Sequence, residues 1–194
     1  MNIFHHRLCR SDKWLRKLED NILPYALEGL GLGDDVLELG PGPGLTTDLL
    51  RRRVPRLTAV EIDARLARRL ALRMRGTNVT VVRGDATALP FGAARFSAAL
   101  SLTMLHHVPS GPLQDRVLNE VARVLRPGGV FAGVDSLTSF SMRLLHIGDT
   151  LVPLDPDTFG GRLEKAGFRD VVVETNGERL RFRARAGSPT RETA

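Results

Sequence analysis

Cysteine is almost missing from this 194-residue chain: Cys9 stands alone, so no internal disulfide can form. No CxxC or CxxH spacing occurs, which removes the usual structural zinc sites. Aromatic residues make up 5% of the sequence, and the basic stretches hold only Phe182, short of the aromatic interleaving that a base-stacking surface would require. No run approaches the roughly 18 apolar residues of a membrane-spanning helix. The opening MNIFHHRLCRSDKW has no apolar stretch of signal-peptide length. These absences point to a cytoplasmic protein with no metal site and no membrane partner.

What is present is ordinary globular composition, 42% hydrophobic and 26% charged. The length fits one domain that buries its core without staples. The net charge of +6 comes almost wholly from arginine, scattered over 51–53, 65–75 and 179–185. Such charge suits nucleic acid or an acidic ligand, or simply reflects an arginine-rich composition.

Periodicity divides the chain into alternating elements. Trp14, Leu15, Leu18 and Ile22 recur at helical spacing, with Ser11 or Asp12 as N-cap and Pro24 as a break between two short helices. Strands are expected at Val36–Leu39, Leu57–Ile62, Val79–Arg83, Phe96–Leu102 and Val130–Val134. The fourth is an apolar run with little alternation, as a strand buried on both faces should be. Helices are expected from Gly44, over Arg65–Arg75, over Gln114–Leu125 with Pro127-Gly128-Gly129 as its stop, and near 157–166. The C-terminal VVVETNGERLRFRARA predicts a hairpin turning at Asn176-Gly177, with Leu180, Phe182, Ala184 and Ala186 buried and the intervening arginines wet. Five strands alternating with helices and closed by an antiparallel hairpin imply an α/β, doubly wound, Rossmann-like sheet. Ligands bind such sheets beyond the carboxyl ends of the strands, where the strand order reverses. Residues 1–186 are expected to form one domain, with 1–32 a helical cap or lid over a 33–186 core and 187–194 a disordered tail.

The first strand runs into VLELGPGPG. Gly40 lets the chain turn sharply, Gly42 lets a ligand approach the backbone, and Gly44 permits tight helix packing. Dinucleotides and S-adenosylmethionine are the two cofactor classes that use such a loop. A dinucleotide fingerprint would place glycine at position 45, where Leu45 stands, and Pro41 and Pro43 remove amides that a pyrophosphate needs. Glu61, 17 residues after Gly44, ends the second strand where a carboxylate can accept from both ribose hydroxyls. Asp63 is a second carboxylate or a helix cap. After the third strand, Asp85 can accept from an exocyclic adenine amine and the Ala86 amide can donate to a ring nitrogen; turn capping is the alternative.

VLELGPGPG, AVEID, RGDATALPF, SLTMLHHV, RVLRPGG and KAGF stand in the order seen in class I S-adenosylmethionine-dependent methyltransferases. The chain resembles most the small-molecule group that includes the ubiquinone- and menaquinone-biosynthesis enzymes, over about residues 33–186. The resemblance implies a seven-stranded sheet with its last strand antiparallel. It also implies cofactor contacts at Glu38, Gly40, Gly42, Glu61, Asp85 and Ala86, with Ser101 and Leu102 near the methionine end. The front of the chain also looks like ribosomal RNA adenine dimethyltransferases, which carry an Asn-(Pro/Leu)-Pro-(Tyr/Phe) motif after the fourth strand. Here that position reads Ser101-Leu102-Thr103-Met104, a departure that argues against adenine N-methylation.

The expected activity is therefore methyl transfer from S-adenosylmethionine, leaving S-adenosylhomocysteine, to a small-molecule acceptor at oxygen or carbon. RNA methylation and a non-catalytic cofactor-binding sensor or assembly partner are the alternatives. Candidate bases are His106, paired with His107, then Asp135, and His146 with Asp149 in the irregular segment where acceptor-binding residues tend to sit.

Overall fold

The computed structural model describes residues 12–137 and 149–187, so Ser11, His146 and the tail from 188 onward lie outside the described residues. Strands β1 (Asp35–Leu39), β2 (Arg56–Glu61), β3 (Val79–Arg83), β4 (Phe96–Leu102), β5 (Leu125–Ser136), β6 (Phe168–Thr175) and β7 (Arg179–Ala186) form one sheet. Their order is β3-β2-β1-β4-β5-β7-β6. Strands β1 to β5 pair in parallel, and β7 runs antiparallel to both β5 and β6. The expected doubly wound, seven-stranded architecture is the one observed. The order reverses between β1 and β4, which opens a crevice at the carboxyl ends of the central strands.

Alternation in the strands feeds two cores. Leu37, Leu39, Ala99, Phe131 and Phe182 face α5 (Gly111–Val124) and α6 (Pro156–Lys165), whose Val117, Val121, Phe159 and Leu163 are buried against them. Phe182 meets Phe131 and Phe159 with ring centroids 4.9 and 5.1 Å apart, in edge-on arrangements. On the other face, Val36, Ala98, Leu100, Ala132 and Val134 pack with Leu49 and Leu50 of α3 (Leu45–Leu50). Leu18, Ile22, Leu23 and Ala26 of the N-terminal helices join this second core. Helix α4 (Ala64–Arg73) lays Ala67 and Leu70 beside β2 and β3, capped by the Asp63 carboxylate, which accepts from the Arg65 and Leu66 amides.

Four local expectations are corrected. Pro24 does not separate two helices: α1 (Asp12–Lys17) runs through a π turn (Leu18–Ile22) into α2 (Leu23–Leu27). The Leu23 amide reaches back to the Leu18 carbonyl, and this widened turn absorbs the donor and the space that proline takes from an α-helix. Strand β5 begins at Leu125, not Val130, with an irregularity across Pro127-Gly128-Gly129 where pairing jumps from Phe96–Leu125 to Ala98–Val130. Arg126 precedes a proline, which disfavours helix and extends the chain early. The hairpin turns one residue later than expected. Asn176 donates its amide to the Arg179 carbonyl at 3.1 Å, leaving Gly177-Glu178 at the tip, and the Asn176 side chain accepts from the Glu178 and Arg179 amides. Finally, the arginine face of β7 is not simply wet. Arg181 bonds the Tyr25 carbonyl and Glu28 of the N-terminal segment at 2.9 Å, pairs with Glu174, and lies 4.5 Å over the Tyr25 ring. Among the described residues no helix is long and apolar enough to cross a membrane.

Phe182 is the side chain around which the first core closes. Phe182→Ala is expected to lower stability by about 3–5 kcal/mol in urea denaturation; a loss below about 1 kcal/mol would contradict this packing.

Candidate active site

Beyond β1 the backbone passes through three left-handed glycines, Gly40 (φ +59°), Gly42 (φ +55°) and Gly44 (φ +85°). A Cβ on Gly44 would collide with Leu70 and Arg73 of α4, so this glycine admits the close approach of a helix. Around Gly42 nothing lies within 4 Å of such a Cβ, and the residue borders an open cavity of about 1140 Å³. A cradle of bare backbone facing empty volume suits a ligand laid against the main chain.

Charged side chains from three elements hold this loop. Glu38, buried in β1, accepts from the hydroxyls of Thr46 and, at 2.6 Å, Thr47 at the start of α3. Burial pushes the Glu38 carboxyl up to about 7; the two threonines pull it down, while Asp48 and Glu61 push it further up. Glu61, buried at the end of β2, accepts from the Gly42 amide and the Asp63 amide, each at 2.9 Å. Arg73 of α4 donates to the carbonyls of Pro43 (3.0 Å) and Gly44 (2.9 Å) and pairs with Asp48 at 3.1 Å.

The cavity opens at the crevice between β1 and β4. One half is lined by the glycine loop, Glu61, Asp63, Asp85, Ala86 and Leu102. Asp85 accepts from the Thr87 amide at 2.8 Å, so its carboxylate is braced in a turn. A carboxylate oxygen can take more than one hydrogen bond, and both Glu61 and Asp85 therefore retain accepting capacity toward hydroxyls or an amine. Glu38, Gly44 and Ser101 do not line the cavity: Glu38 and Gly44 lie behind the loop they shape. Ser101 is buried in β4, its hydroxyl without a hydrogen-bond partner among the described residues.

The other half is bordered by His106, His107, Asp149, Trp14, Lys17 and the hairpin tip with Arg179. His106 sits in a 3-10 turn (Leu105–His107), buried, with its Nδ1 on the Asp135 carboxylate at the end of β5. The His106 amide also donates to Asp135 at 3.2 Å. The Asp135 carboxylate engages Nδ1, so the ring turns its Nε2 away from that carboxylate. The His106 ring lies against that of His107, with centroids 4.1 Å apart and the planes tilted by 41°. Gln114 bonds the Leu105 and Val152 carbonyls, and Arg162 holds Gln114, so α5 and α6 brace the turn from behind.

Of the residues singled out from the sequence, the structure brings Gly40, Gly42, Glu61, Asp85, Ala86, Leu102, His106 and Asp149 to one cavity, and the catalytic candidate His146 lies outside the described residues. Sequence reasoning missed Thr46 and Thr47 as partners of Glu38, Arg73 as a loop clamp, and Arg179 as a cavity residue. A Thr-Thr pair opening a helix just after a glycine loop was the one available signal. Nothing local in the sequence brings Arg73 back to Gly44. Among the described residues no three His, Cys, Asp or Glu side chains are grouped to hold a metal ion.

A family profile described as "Methyltransferase domain" matches residues 37–133, which runs from β1 into β5. An uncharacterized methyltransferase of Mycobacterium tuberculosis is 33% identical over 125 residues, covering 64% of this chain and 61% of the relative. Ribosomal RNA small subunit methyltransferase A of Cupriavidus pinatubonensis is 43% identical over 77 residues, or 39% of this chain and 27% of that protein. The solved structure of a SAM-dependent methyltransferase from Aquifex aeolicus superposes with a TM-score of 0.73 at 18% identity, over 96% of this chain and 99% of that one.

The raised Glu38 carboxyl makes stability depend on pH. A folded value near 7 against an unfolded value near 4.5 stabilises the fold below about pH 4.5, and this contribution fades as pH rises through 7. The loss is on the order of 3 kcal/mol. In urea denaturation between about pH 5 and 8, Glu38→Gln should flatten the fall that the unaltered protein shows; parallel pH profiles would contradict it.

Proposed function

The chain belongs to the methyltransferase domain family, and from that premise we propose that it transfers a methyl group from S-adenosylmethionine to a small, non-polymeric acceptor, at oxygen or carbon. The observation that carries this reading is one cavity bordered by Glu61, Asp85 and the glycine loop and also by His106, which Asp135 holds from behind. The N-terminal helix and the hairpin tip also border it, which favours a compact acceptor over a polymer.

The residues present fit the cofactor. Gly42 leaves the backbone bare where a nucleoside would lie, Glu61 accepts from ribose hydroxyls, and Asp85 with the Ala86 amide presents an acceptor and a donor to the adenine edge. Leu102 and Met104 offer an apolar wall toward the methionine end. When bound, S-adenosylmethionine supplies a methyl group already activated on a sulfonium, which leaves as a neutral thioether. The protein's share is then alignment, worth on the order of 7–11 kcal/mol for well-oriented reactants, and exclusion of water. Where the acceptor must lose a proton, His106 Nε2 takes it while the Asp135 carboxylate steadies the imidazolium that forms. Asp149, across the same half of the cavity, is the second candidate for touching the acceptor.

RNA methylation remains the alternative because ribosomal RNA methyltransferase names occur among the relatives. Against it stand the short shared segment and Ser101-Leu102-Thr103-Met104, which lacks an asparagine, a proline and an aromatic. A steep salt dependence of RNA binding would favour that alternative.

Calorimetry with S-adenosylmethionine and S-adenosylhomocysteine tests the cofactor assignment. Glu61→Ala should weaken both by at least about tenfold, through loss of charge-assisted hydrogen bonds; undiminished binding overturns the assignment. Because Glu61 also holds the Gly42 amide, Glu61→Gln should fall between the two. The role of His106 is tested by supplying labelled cofactor with a metabolite extract and following the methylated product by mass spectrometry. His106→Gln is expected to slow product formation by about 10²–10⁴-fold with cofactor affinity intact. A slowing of less than about tenfold removes His106 as the base.

A further inference from the structure

Two arginines on the same face of β7 are equally buried and differently used. Arg181, its side chain 12% exposed, spends its guanidinium on Glu174, Glu28 and the Tyr25 carbonyl. Arg179, its side chain 10% exposed, has one contact, to Glu178 at 3.3 Å, and its Nε has no hydrogen-bond partner among the described residues. Arg179 is the one that lines the cavity. A guanidinium carries five donors and cannot shed its charge, so burying it with a single long contact is costly unless something else completes it.

We propose that Arg179 recognises an oxyanion, a carboxylate or a phosphate, carried by the methyl acceptor; this rests on the small-molecule reading above. Its position is built rather than incidental. The Asn176 side chain accepts from the Arg179 amide at 3.0 Å, and the Leu137 amide donates to the Glu178 carbonyl at 3.0 Å. Arg179 also pairs in register with Ser136, the residue after Asp135. Arg179 therefore lines the cavity from the strand pair that also carries Asp135, the partner of His106.

Glu178 is the stand-in. Its side chain is 73% exposed, and it also meets Lys17 at 3.9 Å, so both cations on this rim share one solvated carboxylate. Such an exposed pair is weak. An acceptor oxyanion can displace Glu178 and take two parallel hydrogen bonds from the fork, the geometry that distinguishes arginine from lysine. Among the described residues, Asp149 and Glu178 are the two carboxylates bordering this half, and they oppose an anion; the proposal requires that Arg179 and Lys17 outweigh them at the site itself.

The test is a titration of the full chain, first with S-adenosylhomocysteine and then with benzoate, phenyl phosphate or benzamide, the last a neutral isostere of benzoate. At least one anion should bind at least about tenfold tighter than benzamide, the scale of a charge-assisted hydrogen bond. Arg179→Gln should erase that preference and Arg179→Lys keep part of it, with S-adenosylhomocysteine affinity unchanged in both. Comparing benzoate with phenyl phosphate separates a carboxylate acceptor from a phosphorylated one. Equal affinity for all three probes, or an anion preference that survives Arg179→Gln, overturns the proposal. If Arg179→Gln does not fold, the preference of the unaltered protein and its reduction in Arg179→Lys decide. Failure to bind S-adenosylhomocysteine overturns the cofactor reading separately, and the anion preference is then read on the protein alone.

Discussion

Between Leu39 and Leu45 the backbone passes through three left-handed glycines, a path that no regular element supports. The ligand-facing surface depends on how this loop is held. Glu38 anchors its far end through Thr46 and Thr47, Glu61 holds the Gly42 amide, and Arg73 collects the Pro43 and Gly44 carbonyls. These clamps come from β1, β2 and α4, so the loop's shape is a property of the assembled sheet. The carboxylate that steadies Gly42 is also the one proposed to meet a ribose, so the proposed cofactor contact and the shape of the cradle share one side chain.

The two halves of the cavity differ in charge: the first is acidic, and the second mixes Lys17 and Arg179 with Asp149 and Glu178. Acidic groups at the ends of β2 and β3 suit the hydroxyls and amine of a nucleoside. His106, Lys17 and Arg179 gather on the side served by β4, β5, the N-terminal helix and the hairpin. Parallel strands β1 to β4 form the first half, as in any sheet of this topology. The second half is assembled from less regular pieces: a 3-10 turn, a hairpin tip and a helix that continues through a π turn. Under the proposed methyl transfer, acceptor choice would reside in these local features, and cofactor binding in the shared sheet.

Much of the fold was legible because period-2 and period-3.6 patterns report burial directly. Val79–Arg83 and Phe96–Leu102 were read with their observed bounds, the first because Asn78 and Gly84 border it and the second because its apolar run shows little alternation. The misreadings share a cause. Pro24, the start of β5 and the hairpin turn each depended on how neighbouring backbone relaxed around a proline or an asparagine side chain, which local propensity does not encode. The alternation in Arg179–Ala186 was read correctly as a pattern. That pattern could not distinguish water from the Tyr25–Glu28 segment on the arginine side, because both satisfy a guanidinium.

In the candidate site, the glycines, Glu61 and Asp85 were visible because they sit at fixed offsets from strand ends, and strands display their ends in sequence. Their arrangement on one cavity followed once the strand order was known. By itself, then, the sequence determined the order of elements, the bare backbone loop and the carboxylates at the strand ends, all of which are local in the chain. Only the tertiary structure decided that Asp135 holds His106, that Arg73 grips the glycine loop, and that Arg179 turns to the cavity while Arg181 is spent on the N-terminal helix. Each of those pairings joins residues 29 or more positions apart or separates two that alternate identically, and burial in three dimensions is what tells them apart.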